Sequence, residues 1–399
     1  MTQTVRSTIN NIKELLIKEQ TEILKAAGLL MLPSILTKIT GQLFNLLAAS
    51  KLPLESKALN EFLLASALPE MVANILLLGV ISAVVIPIFV EVKEKHGRER
   101  FLRVYNTIFN ISVVAFTAAA VFVILFADRI FPFFLTYVIR PEVMPDPASV
   151  GNIVSMMRFL MIPMLILGIS VFITSGLNVY QRFFVPQLAP LFYNVGRIFG
   201  VFVLIPLLHQ SPWAFVIGTL IGSILHLLVQ LPLARYLKLS YLPVMDLHDE
   251  YTRKMFRVSF PRSISLAAEQ VAITVQEFIA GGLSNISLPA FYFASSLALV
   301  IPTLFGYTFS VASFPLLSSL YSQERFQEVG ELVTKTLNQI LFLSLPFVIA
   351  AMILRLPVVR LVYGVLPDTE FNRESSVAVA WILLFFSVGL VFTAMKWYL

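Results

Sequence analysis

The sequence has no cysteine and four histidines, and only 13% of its residues are charged. Without cysteine there is no disulfide, no thiolate metal site and no cysteine nucleophile, and nothing marks a redox compartment. The histidines are scattered at 96, 209, 226 and 248. No HExxH, no GxSxG and no glycine-rich phosphate loop ending in Gly-Lys-Ser/Thr occurs, so the expectation is a protein that is not an enzyme and has no metal, cofactor or nucleotide site. The shortage of charge also excludes a soluble globule. With 58% hydrophobic residues, 34 Phe and a mean hydropathy of +0.84, the chain holds more apolar surface than a soluble core could cover. It reads as an all-α integral membrane protein whose surroundings are membrane lipids. The net charge of +6 suggests no nucleic-acid partner, because in a membrane chain a basic excess marks the cytoplasmic loops.

Residues 1–23 are polar and lack the apolar core and small-residue cleavage site of a signal peptide. Ile9, Ile12, Leu16 and Ile23 share a helical face, as in an amphipathic helix lying on a leaflet. Ten apolar segments follow, each long enough to cross about 30 Å of hydrocarbon. They run near 24–49, 69–92, 104–127, 150–176, 184–208, 213–234, 258–283, 289–317, 332–354 and 376–399. Several contain proline (Pro33, Pro163, Pro190, Pro302, Pro346), which membrane helices tolerate where neighbours satisfy the freed backbone groups. Lys and Arg concentrate before residue 26, at 93–103 and at 235–257, and are sparser in the alternate loops. That asymmetry puts the N-terminus in the cytoplasm.

The polar run Arg235–Arg257 divides two stretches that resemble each other. SAVVIP (82–87) precedes ERFLRV (99–104), and SVASFP (310–315) precedes ERFQEV (324–329). Even numbers of helices separate the copies, the parallel kind of repeat found in two-lobed transporters. The expected division is therefore an N-lobe at 24–234, a cytoplasmic connector at 235–257 about which the lobes rock, and a C-lobe of four helices at 258–399. Six helices in the first copy and four in the second suggest a truncated chain, and the last residues, AMKWYL, are still apolar and aromatic.

Residues 176–200, GLNVYQRFFVPQLAPLFYNVGRIFG, are similar to the segment joining the fourth and fifth helices of the MurJ (MviN) family of lipid II flippases. LPEMVANILLLGVISAVVIPIF (68–89), QLPLAR (230–235), FPRSISLAAEQ (260–270) and FASSLALVIPTLFGYTFSVASFPLLS (293–318) follow in the family's order. The resemblance implies the fold of the multidrug, oligosaccharidyl-lipid and polysaccharide exporters: two six-helix lobes around a central cavity, then two further helices. It implies translocation by alternating access of lipid II, the undecaprenyl-pyrophosphate-linked peptidoglycan precursor used in cell-wall biogenesis, from the cytoplasmic to the outer leaflet of a bacterial inner or plasma membrane. It also implies a cavity with cations for the pyrophosphate.

A cation inside a span is costly and so a functional candidate. Lys38 matches a basic position of the family's first helix, and Gln42 and Asn45 follow at i+4 and i+7 on its face. The alternative for Lys38 is snorkelling or a structural ion pair. Other cations expected from the family are missing: its second basic position falls on Phe44, its second-helix arginine near Ala73, and its eighth-helix arginine and glutamate near Ser296 and Leu299. Arg158 and Arg197 could supply charge instead, or could be committed to packing within the lobe or to interface anchoring, and Ser296 is a further candidate for the substrate cavity. Ser265, Glu269 and Gln276 recur at helical spacing on the seventh segment with Glu277 beside them, candidates for ion coupling or gating. A Lys38–Glu269 bridge, gating or static, is suggested by the repeat. His226 reads as packed against a neighbour, and Gly218 to Gly222 as a close helix contact. With no nucleotide site, transport would draw on an ion gradient or the membrane potential. Two other readings stay open: export of another lipid-linked oligosaccharide or amphipathic solute, and a transport-inactive scaffold.

Overall fold

The structure, a computed structural model, describes residues 23–80, 85–138, 145–367 and 369–398. The expected amphipathic segment 1–23 lies almost wholly outside the described residues, as does Ser82 of the first repeat copy. All the described regular structure is helical. In chain order the helices are α1 (Ile23–Lys51), α2 (Lys57–Val80), α3 (Val85–Val138), α4 (Pro147–Val179), α5 (Phe184–Phe199), α6 (Trp213–Leu228), α7 (Leu231–Tyr236) and α8 (Glu250–Gly281). They continue with α9 (Ser287–Ala298), α10 (Thr308–Ser322), α11 (Phe326–Ile353), α12 (Arg355–Tyr363) and α13 (Arg373–Tyr398). A π turn at Gly200–Leu204 carries α5 on to Ile205–Leu207, and a second at Thr303–Tyr307 joins Val300–Pro302 to α10.

Among the described residues seven helical spans are long and apolar enough to cross a membrane, between Val85 and Tyr398. The protein is thus a multi-pass membrane protein. The remaining expected segments fall on α1, on α2 running towards α3, and on α8. Two differences from the sequence reading have simple causes. α2 begins at Lys57, twelve residues before the expected start, because KALNEFLLASAL is helical yet carries Lys57 and Glu61, which hydropathy penalises. α3 is two helices broken at Gly97, whose φ of 77° and ψ of −178° are open to glycine and costly for other residues.

The helices group into two compact units. One holds residues 1–47 and 57–283; the other holds 48–56 and 284–399. The grouping does not follow the connector, because α8 packs with α2 and α3 in the first unit. Nor is the connector a free link. Arg98 donates to the carbonyls of Leu237 and Lys238 at 3.2 and 2.7 Å, and the Asn106 amide donates to Ser240 O and accepts from Leu242 N. Asn110 donates to Leu242 O and Val244 O at 2.9 Å, and Thr107 Oγ1 accepts from Asp246 N. Irregular backbone must find partners for its polar groups, and here α3 supplies them. The irregular backbone ends at Asp249, which pairs with Arg100 and caps α8 by accepting from Tyr251 N and Thr252 N at 3.0 and 3.1 Å.

Inside the first unit, α5 crosses α6 at glycines. A Cβ on Gly196 would lie 2.2 Å from Gly222 N, and one on Gly200 2.8 Å from Gly218 Cα. This is the close contact expected at Gly218 to Gly222. α4 and α6 share a buried polar cluster. His226 Nδ1 lies 2.7 Å from Ser170 Oγ, Gln230 donates to Ser170 Oγ at 2.8 Å, and Thr174 donates to Gln230 Oε1 at 2.8 Å. His226 is therefore held in a bonded network, as expected for a packing role.

At the end remote from the connector, Asn152 joins three helices. Its amide donates to Glu61 Oε2 and its oxygen accepts from Trp213 Nε1 at 3.0 Å, with Glu61 5% exposed. Asn152→Leu strands the Trp213 indole N–H and leaves Glu61 only the Lys57 ammonium 3.9 Å away, and leaving a buried polar group unpaired costs about 1–3 kcal/mol. The expected result is a clear drop in thermal midpoint in detergent; Glu61→Gln should lose less, since its amide keeps a hydrogen-bonding group there. Beside this network, the Lys57 ammonium 2.8 Å away and the Ser149 amide hold the Asp146 carboxyl down to about 2 from its ordinary 3.8. A depressed carboxyl stabilises above its ordinary value and ceases to as pH falls through the folded one. Asp146→Asn should therefore be less stable than the parent at pH 6, and the gap should close by about pH 2.

Candidate functional site

Several polar residues of the first unit meet where α5 contacts α1. Asn194, buried on α5, donates to Thr37 O at 3.0 Å and Thr40 Oγ1 at 3.2 Å. A Cβ on Gly41 would sit 3.5 Å from its amide nitrogen. That contact docks α5 on the turn of α1 bearing Lys38 and Gln42. Lys38 is exposed, Gln42 half-buried and Asn45 buried. Among the described residues Lys38 forms no ion pair, so the suggested Lys38–Glu269 bridge is not formed.

One turn beyond Asn194, Arg197 lays its guanidinium 3.7 Å from the centroid of the Phe44 ring and 5.5 Å from that of Tyr193. Such stacking is a cation–π contact. Phe44 is the position where the resemblance led us to expect a second basic residue. The positive charge is present here after all, delivered by α5 onto an aromatic seat on α1.

Two carboxylates share this neighbourhood. Glu70 of α2 lies within electrostatic reach of both Arg197 and Glu277 of α8. One turn further along α2, Asn74 donates to Gln270 Oε1 of α8 at 3.1 Å. The i, i+4 pair Glu70 and Asn74 and the i, i+7 pair Gln270 and Glu277 thus form a polar seam between α2 and α8. Ala73, where the family's second-helix arginine was expected, is 3% exposed. The seventh-segment candidates divide by face: Ser265, Glu269 and Gln276 are exposed, whereas Glu277 is half-buried towards α2.

Arg158 is committed elsewhere. Its Nε donates to Ile124 O at 2.9 Å and its guanidinium pairs with Asp128, both on α3. Its charge is matched by a partly exposed carboxylate on the neighbouring helix. Ser296 belongs to the second unit, where it bonds the Tyr363 hydroxyl, which itself donates to Phe293 O at 3.0 Å. Glu70 and Asn74 were missed by the sequence reading, which at this helix attended to the absent arginine near Ala73. The available signal was Glu70 itself, an ionisable residue within an apolar run.

Chemically, Lys38 and Arg197 offer positive charge to an anion, Glu70, Glu269 and Glu277 offer proton or cation sites, and Gln42, Asn45, Asn74 and Gln270 add amides. Among the described residues no group of His, Asp and Glu is arranged to hold a metal ion.

Comparison with known proteins bears on what the arrangement serves. The family profile described as "Lipid II flippase MurJ" matches residues 55–398. A probable lipid II flippase MurJ of Thermotoga maritima is 24% identical over 360 residues, covering 90% of this chain and 69% of that protein. The lipid II flippase MurJ of Burkholderia cenocepacia is 20% identical over 362 residues, covering 90% of this chain and 68% of its own length. Among solved structures, a lipid II flippase MurJ in an inward closed conformation superposes with a TM-score of 0.73 at 18% identity, covering 93% of this chain and 74% of that one. An inward-facing multidrug resistance transporter of the MATE family in the MOP superfamily gives 0.63 at 14%, covering 90% and 82%.

Proposed function

Since the chain belongs to the lipid II flippase MurJ family, we propose that it moves lipid II from the cytoplasmic to the outer leaflet by alternating access. Its substrate is then an undecaprenyl-pyrophosphate-linked sugar-peptide. Its place is the inner or plasma membrane of a bacterium, with the N-terminus in the cytoplasm. The observation that carries the reading at residue level is the pair of cations at the α1–α5 contact, exposed Lys38 and the Arg197 guanidinium 3.7 Å from Phe44. They suit a pyrophosphate, because hydrogen bonds from an ammonium or a guanidinium to phosphate oxygens are charge-assisted and about twice as strong as neutral ones. Energy would come from an ion gradient or the membrane potential, with Glu70, Glu269 and Glu277 as the groups able to take up a proton or cation.

The test is lipid II translocation in proteoliposomes, comparing the chain with Lys38→Ala at equal amounts of folded protein. Translocation by the parent and a loss of at least about tenfold in the variant are expected, the cost of one charge-assisted contact. Absence of translocation by correctly inserted parent protein would overturn the assignment. A second reading, export of a different lipid-linked oligosaccharide or amphipathic solute, is favoured by the apolar residue at Ala73 and by the acidic seam. Transport of such a lipid, with lipid II left untouched, would select it.

A further inference from the structure

Two groups stand out among the basic residues at the connector end of the first unit. One group is neutralised: Lys95 and Lys254 both pair with Glu91, at 2.9 and 2.6 Å, and Arg100 pairs with Asp249. The other group surrounds the α4–α5 turn. Lys93 donates to Val179 O at 3.4 Å and lies 4.1 Å above the Tyr180 ring. Arg98, across the Gly97 break, donates to Leu237 O and Lys238 O and acts electrostatically on Tyr180. Phe101 packs edge-on against the same ring at 5.8 Å. Arg235 and Lys238 leave the end of α7, which Leu233 and Ala234 pack against Leu177 and Val185 at the two sides of the turn.

Among the described residues Lys93, Arg98, Arg235 and Lys238 form no ion pair with a carboxylate. Neighbouring Glu94 and Glu99 are exposed and pair with none of them. The Lys93 and Arg98 contacts are to backbone carbonyls and a ring face, which orient the cations without cancelling their charge. Like charges held together repel, and exposed Tyr236 and Tyr241, 60% and 64% accessible, flank the group as interfacial aromatics do.

We infer that Lys93, Arg98, Arg235 and Lys238, gathered around the α4–α5 turn, form a binding site for a phosphate-bearing anionic headgroup, separate from the Lys38–Arg197 site. A lipid phosphate supplies the missing counter-charge, and its chains lie beside the apolar helices that end there. Diffuse attraction of a basic face to an anionic leaflet would depend on the number of charges alone; a built site depends on which ones.

The test uses the full chain in detergent, following its thermal midpoint while phosphatidylglycerol or phosphatidylcholine is added. Phosphatidylglycerol should raise the midpoint, as any ligand of the folded state does. A Lys93→Gln, Arg98→Gln, Lys238→Gln variant should bind it on the order of a hundredfold more weakly, about fivefold per surface charge removed. Arg253→Gln with Arg257→Gln, two exposed cations of α8 at the same end, should bind as the parent does. Lys238→Gln alone guards against misfolding: its ammonium makes no described bond, so its lipid-free midpoint should be unchanged while affinity falls about fivefold. Inorganic phosphate and pyrophosphate form the second arm; if they stabilise the parent, and not the triple variant, in the absence of lipid, the site takes the free ions. Equal losses in the triple and the α8 variants, or none in either, would overturn the inference.

Discussion

Gly222→Val is expected to destabilise the first unit strongly, with recovered folded protein falling several-fold and the thermal midpoint of the remainder well below that of the parent. A Cβ at this position would lie 2.4 Å from Tyr193 O, and the facing Gly196 would meet Gly222 N at 2.2 Å. Both obstacles are backbone, so no side-chain rotation relieves them, and the two helices must move apart. Inserting even one methylene into a packed contact costs about 1–3 kcal/mol, and separating the axes also removes the close backbone approach that small residues make possible in a membrane. The damage should spread to function, since α5 carries Asn194 and Arg197 to α1. Gly389→Ala is the matching control: nothing lies within 4 Å of its Cβ, and removing a helical glycine there should be neutral or slightly stabilising. Parent-like yield and midpoint for Gly222→Val would mean that α5 and α6 do not cross at these glycines.

Arg197→Ala should produce the larger functional loss, at least about tenfold in lipid translocation at equal folded protein and greater than that of Phe44→Leu. The arginine supplies the charge and the ring only seats it; cation–π contacts contribute about 0.5–2 kcal/mol according to how dry the site is. Arg197→Lys should restore little, because an ammonium lacks the planar face that stacks on Phe44 and the fork that grips a phosphate in two places. In a double-mutant cycle, Arg197→Ala and Phe44→Leu should be markedly non-additive, the signature of residues acting on one another. Additive losses would detach the arginine from its seat, and parent-like translocation by Arg197→Ala would remove it from the site altogether.

The apolar segments were legible to within a few residues. The fourth was expected at 150–176 and α4 runs Pro147–Val179; the tenth was expected at 376–399 and α13 runs Arg373–Tyr398. Hydropathy found them because the demand of the hydrocarbon acts on each segment separately. It failed where a helix is stable for other reasons, at the charged start of α2 and at nine-residue α12, which is too short to span. Within the site, Lys38 was legible as a charge in an apolar run, and by the same criterion Glu70 could have been. Arg158 and Arg197 could not be told apart, each a single arginine in an apolar helix.

The sequence by itself therefore determined the class of protein, the approximate spans, the family resemblance and a short roster of polar residues inside the membrane. These are properties of composition and local order along the chain. Only the tertiary structure decided that Arg158 pairs with Asp128, that Arg197 stacks on Phe44, that Glu70 lies within electrostatic reach of Arg197 and Glu277, and that the connector is stitched to α3. The reason is one of distance. Whether a charge is paired is settled by a few ångströms between helices remote in sequence, and those separations are set by contacts such as Gly196 on Gly222, which no local pattern records.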